Sequence, residues 1–152
     1  MDVSVEEIAG CTCLRMRRAA RRVTQVYDQQ LARARLTGNQ FGLLGHLYGT
    51  SLREPSGLSI GALAERVGMD PTTLNRNLKP LQRQGLVDAA PDPADGRARL
   101  VRITEAGRRR LEKAVPLWRQ AQGRVEAALG VKSMVKLNDL LDLSFARLGN
   151  QR

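Results

Sequence analysis

The chain has 152 residues, the length of one domain, and that is enough to bury about 68–70% of its unfolded surface without disulfides or a structural metal. Its 25 Lys plus Arg against 15 Asp plus Glu give a net charge of +10 and a pI of about 10.9, which favours a polyanionic partner, nucleic acid before an anionic membrane. Hydrophobic residues make up 42% of the chain, a globular composition, and no apolar run approaches the roughly 18 residues of a membrane span.

Met1 to Gly10 carry Asp2, Glu6 and Glu7 and no basic region followed by an apolar core, so the expected compartment is the cytoplasm. From Val3 to Ala34 the apolar positions Met16, Ala19, Ala20, Val23, Val26, Tyr27, Leu31 and Ala34 recur at three and four, which predicts one long amphipathic helix. Cys11 and Cys13 fall on it two residues apart, about 200° round the helix, a spacing that disfavours a bridge between them. The one histidine, His46, is remote from both, so neither a metal site nor a cofactor is expected.

Thr37 is placed to cap a second, short helix through Gln40, Phe41, Leu44 and Leu47, fading near Gly49. Arg53 to Leu58, with Pro55 and Gly57, is a loop. Ser59 caps a third helix over Ile60 to Val67. Gly68 and Met69 break it, and Asp70 caps a fourth that begins at Pro71 and stops near Gly85. Pro80 is the awkward residue inside that helix. Leu86 to Ala90 and Arg97 to Ile103 suit two strands joined by a turn rich in Pro, Asp and Gly. Thr104 caps a fifth helix with Leu111, Val115, Trp118, Val125 and Leu129 on one face and a kink at Pro116. Gly130 then interrupts it before a sixth, from about Ser133 to Leu148.

Two short helices joined by a tight Gly-containing turn and followed at once by a hairpin describe a winged helix-turn-helix. At 100° per residue, Leu74, Leu78 and Leu81 cluster within about 60° while Thr72, Arg76, Lys79 and Arg83 lie opposite, so one face docks on a core and the other is free. Hydroxyl, amide and guanidinium groups on such a face can bond phosphates and base edges in the major groove. Thr72, Thr73, Asn75 and Arg76 are therefore candidate base or phosphate contacts and Lys79 a phosphate contact. An arm ending in Arg97 and Arg99 suits the narrow, electronegative minor groove, with Asp95 placed to hold the Arg97 side chain.

The run Ile60-Gly61-Ala62-Leu63-Ala64-Glu65-Arg66-Val67-Gly68-Met69-Asp70, the helix Pro71-Thr72-Thr73-Leu74-Asn75-Arg76-Asn77-Leu78, and Gln84-Gly85-Leu86-Val87 resemble the MarR family of bacterial transcriptional regulators. So do the tip Asp95-Gly96-Arg97 and the run Leu100-Val101-Arg102-Ile103-Thr104-Glu105-Ala106-Gly107. The resemblance spans essentially the whole chain. It implies a mainly α fold with a small two-stranded β-wing, a single domain over 1–152, with 59–103 as the winged helix-turn-helix and 1–35 and 104–152 as dimerisation helices. Asp95 and Arg97 fall where such regulators carry a wing-tip pair, and Gly96 between them departs from the bulkier residue expected there. Also implied is a homodimer on a pseudo-palindromic stretch of double-stranded DNA, a repressor released by a small aromatic or phenolic ligand. Met16, Arg18, Arg22, His46, Tyr48 and Trp118 are the candidate ligand contacts. Cys13, fourteen residues before Tyr27, is placed similarly to the reactive cysteine of organic-hydroperoxide sensors in the same family, which gives redox sensing as the alternative.

A dimer also follows from the residues themselves. The first, fifth and sixth helices each carry an apolar stripe, and one small winged unit cannot cover all three. A two-fold axis would let them cover one another and set two recognition helices about 34–36 Å apart. The chain has no paired carboxylates, no Gly-rich phosphate loop and one His, a poor stock for an enzyme. A non-specific nucleic-acid-binding protein would share the basic charge, with less use for Thr and Asn at the start of a recognition helix. Residues 1–35 carry +3, 36–58 none, 59–103 carry +2 and 104–152 carry +5, so the field is spread over the molecule and not focused on the wing.

Overall fold

The computed structural model describes residues 4–149. Its elements are α1 (Val5–Ala9), α2 (Thr12–Leu31), a 3-10 turn over Ala32–Ala34, α3 (Gly38–Ser51), β1 (Leu58–Ser59), α4 (Ile60–Val67) and α5 (Pro71–Arg83). β2 (Val87–Pro91), β3 (Arg99–Ile103), α6 (Glu105–Leu129) and α7 (Val131–Gly149) complete it.

The single helix expected from Val3 to Ala34 is broken. Val3 lies outside the described residues, and Gly10 closes α1 by donating its N–H to the Glu6 and Glu7 carbonyls. Cys11, at ψ 117°, leaves the helical region before α2 starts at Thr12. Cys11 therefore stands at a helix cap and not within a continuous helix, so the 200° argument does not describe the pair; both thiols are free. At its other end α2 tightens into the 3-10 turn, and Arg35 at φ 55° lets Leu36 N–H reach the Leu31 carbonyl at 3.2 Å, a left-handed helix stop made without glycine.

The later helix starts are fixed by their caps. Thr37 and Gln40 form a reciprocal capping box at α3, and Ser59, Asp70 and Thr104 each accept a backbone N–H at the third helical position. Helix α3 runs to Ser51, beyond the fade expected at Gly49, because Leu43, Leu44, Leu47 and Thr50 are all buried. Helices α5 and α6 continue through Pro80 and Pro116; each proline deletes one backbone bond without ending the helix.

The expected two-stranded hairpin is present, β2 pairing with β3 antiparallel from Val87↔Ile103 to Pro91↔Arg99. A third strand joins it. β1 pairs with the other edge of β3 through Leu58↔Val101 and Ser59↔Leu100, giving the order β1-β3-β2. One leucine-rich core, including Leu31, Leu44, Leu63, Leu74, Leu81 and Val101, lies between this sheet, α3, α4, α5 and the first half of α6.

Candidate nucleic-acid interface

Helix α4 ends at Gly68, whose φ of 66° is the left-handed conformation glycine supplies cheaply; Met69 N–H then bonds the Ala64 carbonyl at 2.9 Å. Asp70 turns the chain into α5. Its carboxylate accepts the Thr73 N–H at 2.9 Å and the Thr73 hydroxyl at 2.6 Å. These bonds favour the charged form and hold the Asp70 carboxyl below its ordinary value.

On α5 the two faces separate as the spacing predicts. Leu74, Leu78 and Leu81 are 0–1% exposed, while Thr72, Asn75, Arg76, Lys79 and Arg83 are exposed. Thr73 is half-buried, and its hydroxyl proton is already committed to Asp70, so what it offers a ligand is its oxygen lone pairs. Five of these side chains thus stand on one solvent-facing surface with no protein covering them.

The wing projects beyond. Asp95 does not hold the Arg97 guanidinium as expected: its carboxylate accepts the Arg97 backbone N–H at 3.0 Å, closing a tight turn at the tip. The Arg97 side chain forms no hydrogen bond or ion pair among the described residues. Arg99 is engaged differently, its guanidinium donating to the Ala89 carbonyl at 2.7 Å and bracing the hairpin. Asp88 and Arg102, directly opposite on β2 and β3, form an ion pair at 2.8 Å.

Three residues outside the candidate set fix this surface to the rest of the molecule. Thr104 donates its hydroxyl to the Gly85 carbonyl at 2.6 Å and its N–H to the Leu86 carbonyl at 3.0 Å. Gly107 is buried with the Leu86 carbonyl against it, where a Cβ would not fit. Arg110 donates to the Ala34 carbonyl at 3.3 Å and to Gln84 Oε1 at 3.2 Å, joining the 3-10 turn that follows α2 to the end of α5. Thr104 and Gly107 stand out in the sequence as a cap and a glycine; Arg110 is one basic residue in a basic helix, with no signal of its own.

The six ligand candidates do not form one site within the chain. Met16, Arg18 and Arg22 lie on the exposed first half of α2. Tyr48 sits under the Arg108 guanidinium, 5.9 Å from ring centre to carbon. Trp118 stacks on Phe41 with centroids 6.0 Å apart and lines a cavity of about 380 Å³ with Tyr27 and Val23. His46 opens into a different cleft. The Tyr27 hydroxyl donates to Gln122 Oε1, and burial raises its pKa. Cys13 is exposed and about 21 Å along the helix from Tyr27, so the two cannot meet within one chain.

A sequence profile of the MarR family matches residues 36–98, from the end of the 3-10 turn to the wing. Over 93% of this chain and 99% of its own, the M. tuberculosis transcriptional regulator MosR, solved in complex with DNA, superposes with a TM-score of 0.77 at 38% identity. The chain belongs to the MarR family. Another relative is the HTH-type transcriptional repressor NicR of Pseudomonas putida, 29% identical over 84% of this chain and 80% of its own. The PcaV transcriptional regulator of Streptomyces coelicolor, solved with its natural ligand, matches at 25% identity with a TM-score of 0.75, covering 93% of this chain and 95% of its own. These relatives are regulators of transcription, and the family profile covers α3, the helix-turn-helix and the first strand of the wing, ending just before β3.

Proposed function

We propose that this protein is a sequence-specific DNA-binding repressor of transcription, acting in the cytoplasm as a homodimer on a pseudo-palindromic operator. The observation that carries this reading is the free face of α5, with Thr72, Asn75, Arg76 and Lys79 exposed opposite three fully buried leucines. Set in the major groove, Arg76 and Asn75 supply the donors that discriminate base edges, and Lys79 neutralises a phosphate. Arg97, at the tip of a hairpin held by Arg99 and by the Asp88–Arg102 pair, reaches the minor groove. Residues 1–35 and 104–152 serve as dimerisation helices and 59–103 as the reading unit, and a dimer charge of roughly +20 speeds encounter with DNA and makes binding salt-dependent.

Release by a small aromatic or phenolic ligand completes the reading. Trp118 supports it best of the six candidates, since the cavity it shares with Phe41 and Tyr27 is apolar-walled and lies between α2, α3 and α6. Selection of bound duplexes from fragmented genomic DNA, followed by footprinting, tests the function. An inverted repeat protected on one face of the duplex is expected, and a pool that never converges on a sequence refutes it in favour of non-specific binding. An exposed Cys13 favours a second reading, oxidative release. Hydroperoxide treatment that frees wild-type but not Cys13→Ser protein from the operator selects it over ligand release.

A further inference from the structure

Three helical segments of the chain stop in the same way, and one of them uses the wrong residue. At the end of α4, Gly68 N–H bonds the Glu65 carbonyl and Met69 N–H the Ala64 carbonyl; at the end of α5, Gly85 N–H bonds the Gln82 carbonyl and Leu86 N–H the Leu81 carbonyl. Both glycines have a φ of 66°. At the corner between α2 and α3 the same pair of bonds runs from Arg35 N–H to the Ala32 carbonyl at 2.9 Å and from Leu36 N–H to the Leu31 carbonyl at 3.2 Å, with Leu31 and Leu36 buried. Arg35, at φ 55° and ψ 42°, is the one non-glycine residue of positive φ among the described residues. Glycine, or failing that asparagine, makes such a stop with less strain. A cation near a helix end is favoured by the helix dipole, but Arg33, one turn position earlier, supplies it from an ordinary conformation. Strain of this kind persists where the side chain is put to use.

The position of the corner narrows that use. One guanidinium, that of Arg110, holds both the Ala34 carbonyl and the side chain of Gln84, the residue that caps α5. The corner therefore lies beside the end of α5 remote from Pro71. Arg33, Arg35 and Arg83 are exposed, and their side chains form no hydrogen bond or ion pair among the described residues. Acids are scarce here: there is none in α5 and none from residue 29 to residue 53, Asp28 accepts the Gly38 N–H, and Glu112 lies about 200° round α6 from Arg110. The 13 residues of α5 span about 20 Å, whereas the major groove is about 12 Å wide. A helix set into that groove by its N-terminal end, where Thr72, Asn75 and Arg76 stand, carries its C-terminal end out to the groove wall, and the wall is phosphate.

We infer that the corner between α2 and α3 is a further contact with the DNA backbone, in which Arg35, flanked by Arg33 and Arg83, neutralises a phosphate at the edge of the groove that α5 enters. The contact reads no sequence. It positions the helix that does: because Arg110 ties the corner to the end of α5, a phosphate held at Arg35 fixes the far end of α5 while Arg76 and Asn75 engage bases at the near end. Glycine at position 35 would serve the turn and lose the phosphate. This rests on the reading of α5 as the helix that enters the groove.

Arg35→Gly and Arg35→Lys test it, each followed by thermal unfolding and by affinity for the selected inverted repeat and for a shuffled duplex over a range of salt. Arg35→Gly relieves the turn and removes the charge. It should melt no lower than wild type, bind both duplexes about fivefold more weakly per engaged subunit at about 0.15 M salt, and lose about 1 per engaged subunit from the slope of log affinity against log salt. Arg35→Lys keeps the charge and should keep the slope. An unchanged slope or a lower Tm for Arg35→Gly, or a fallen slope for Arg35→Lys, overturns the contact and returns Arg35 to a role in the fold alone. Wild-type protein that binds the two duplexes equally defeats the repressor reading and leaves the slope to decide on Arg35.

Discussion

The reading half of the molecule and its terminal helices bury their apolar residues by opposite means. Between α3 and the start of α6, Leu43, Leu44, Leu47, Leu63, Leu74, Leu78 and Leu81 are each 0–1% exposed within a single chain. In α7 no residue is buried, and Val131, Leu140, Phe145 and Leu148 are 57–66% exposed. Both halves carry amphipathic helices, so the contrast lies in what covers them. The reading half folds against its own sheet; α7 leaves its apolar side chains exposed along its length, the pattern of a surface that meets a partner. The two regions are nonetheless joined, by Leu31 of α2 and Leu111 and Ala114 of α6 in the shared core and by the bonds of Arg110.

That contrast breaks most visibly at its two cores. Leu74→Ala removes a fully buried side chain and should lower unfolding stability by about 2–5 kcal/mol, read as a fall in the urea midpoint at one fixed protein concentration. Leu140→Asp, on the exposed face of α7, should halve the sedimenting mass and leave a urea midpoint that no longer depends on protein concentration; an unchanged mass would remove this face from the interface. Arg76→Ala should leave folding intact and weaken binding to the selected operator by about 1–3 kcal/mol, with little effect on random duplex.

Two smaller effects sharpen the account of α5. Because the Thr73 bonds hold the Asp70 carboxyl below its ordinary value, the stability it contributes is complete above the usual carboxylate range and is lost as pH falls through the depressed folded value. The Tm advantage of wild type over Asp70→Asn should therefore shrink in acid; an advantage independent of pH would contradict the assigned bond. Lys79→Ala should reduce the slope of log affinity against log salt by about 1, and an unchanged slope would remove Lys79 from the phosphate contacts.

Most of this architecture is legible in the amino-acid sequence because helix starts are local chemistry. Thr37, Ser59, Asp70 and Thr104 cap the helices they announce, and the leucine spacing of α5 gives its buried face directly. What escapes the sequence depends on partners far along the chain. β1 is two residues long and exists only through β3, too short for any alternation to show. The break at Gly10 falls before Met16, the first position of the apolar stripe, where the spacing says nothing of where the helix starts. Asp95 and Arg97 are adjacent enough to suggest an ion pair, yet a backbone N–H two residues on is the nearer donor for a turn-forming aspartate. The ligand candidates spread over separate surfaces because charge and aromaticity mark a residue type and not a shared cavity.

The central claim is that the α5 face reads sequence. It is tested most directly by the ratio of Kd for a shuffled duplex to Kd for the selected inverted repeat, measured at physiological salt. The account predicts a ratio of about 10³ or more; a ratio near one, with both affinities falling equally as salt rises, would contradict it.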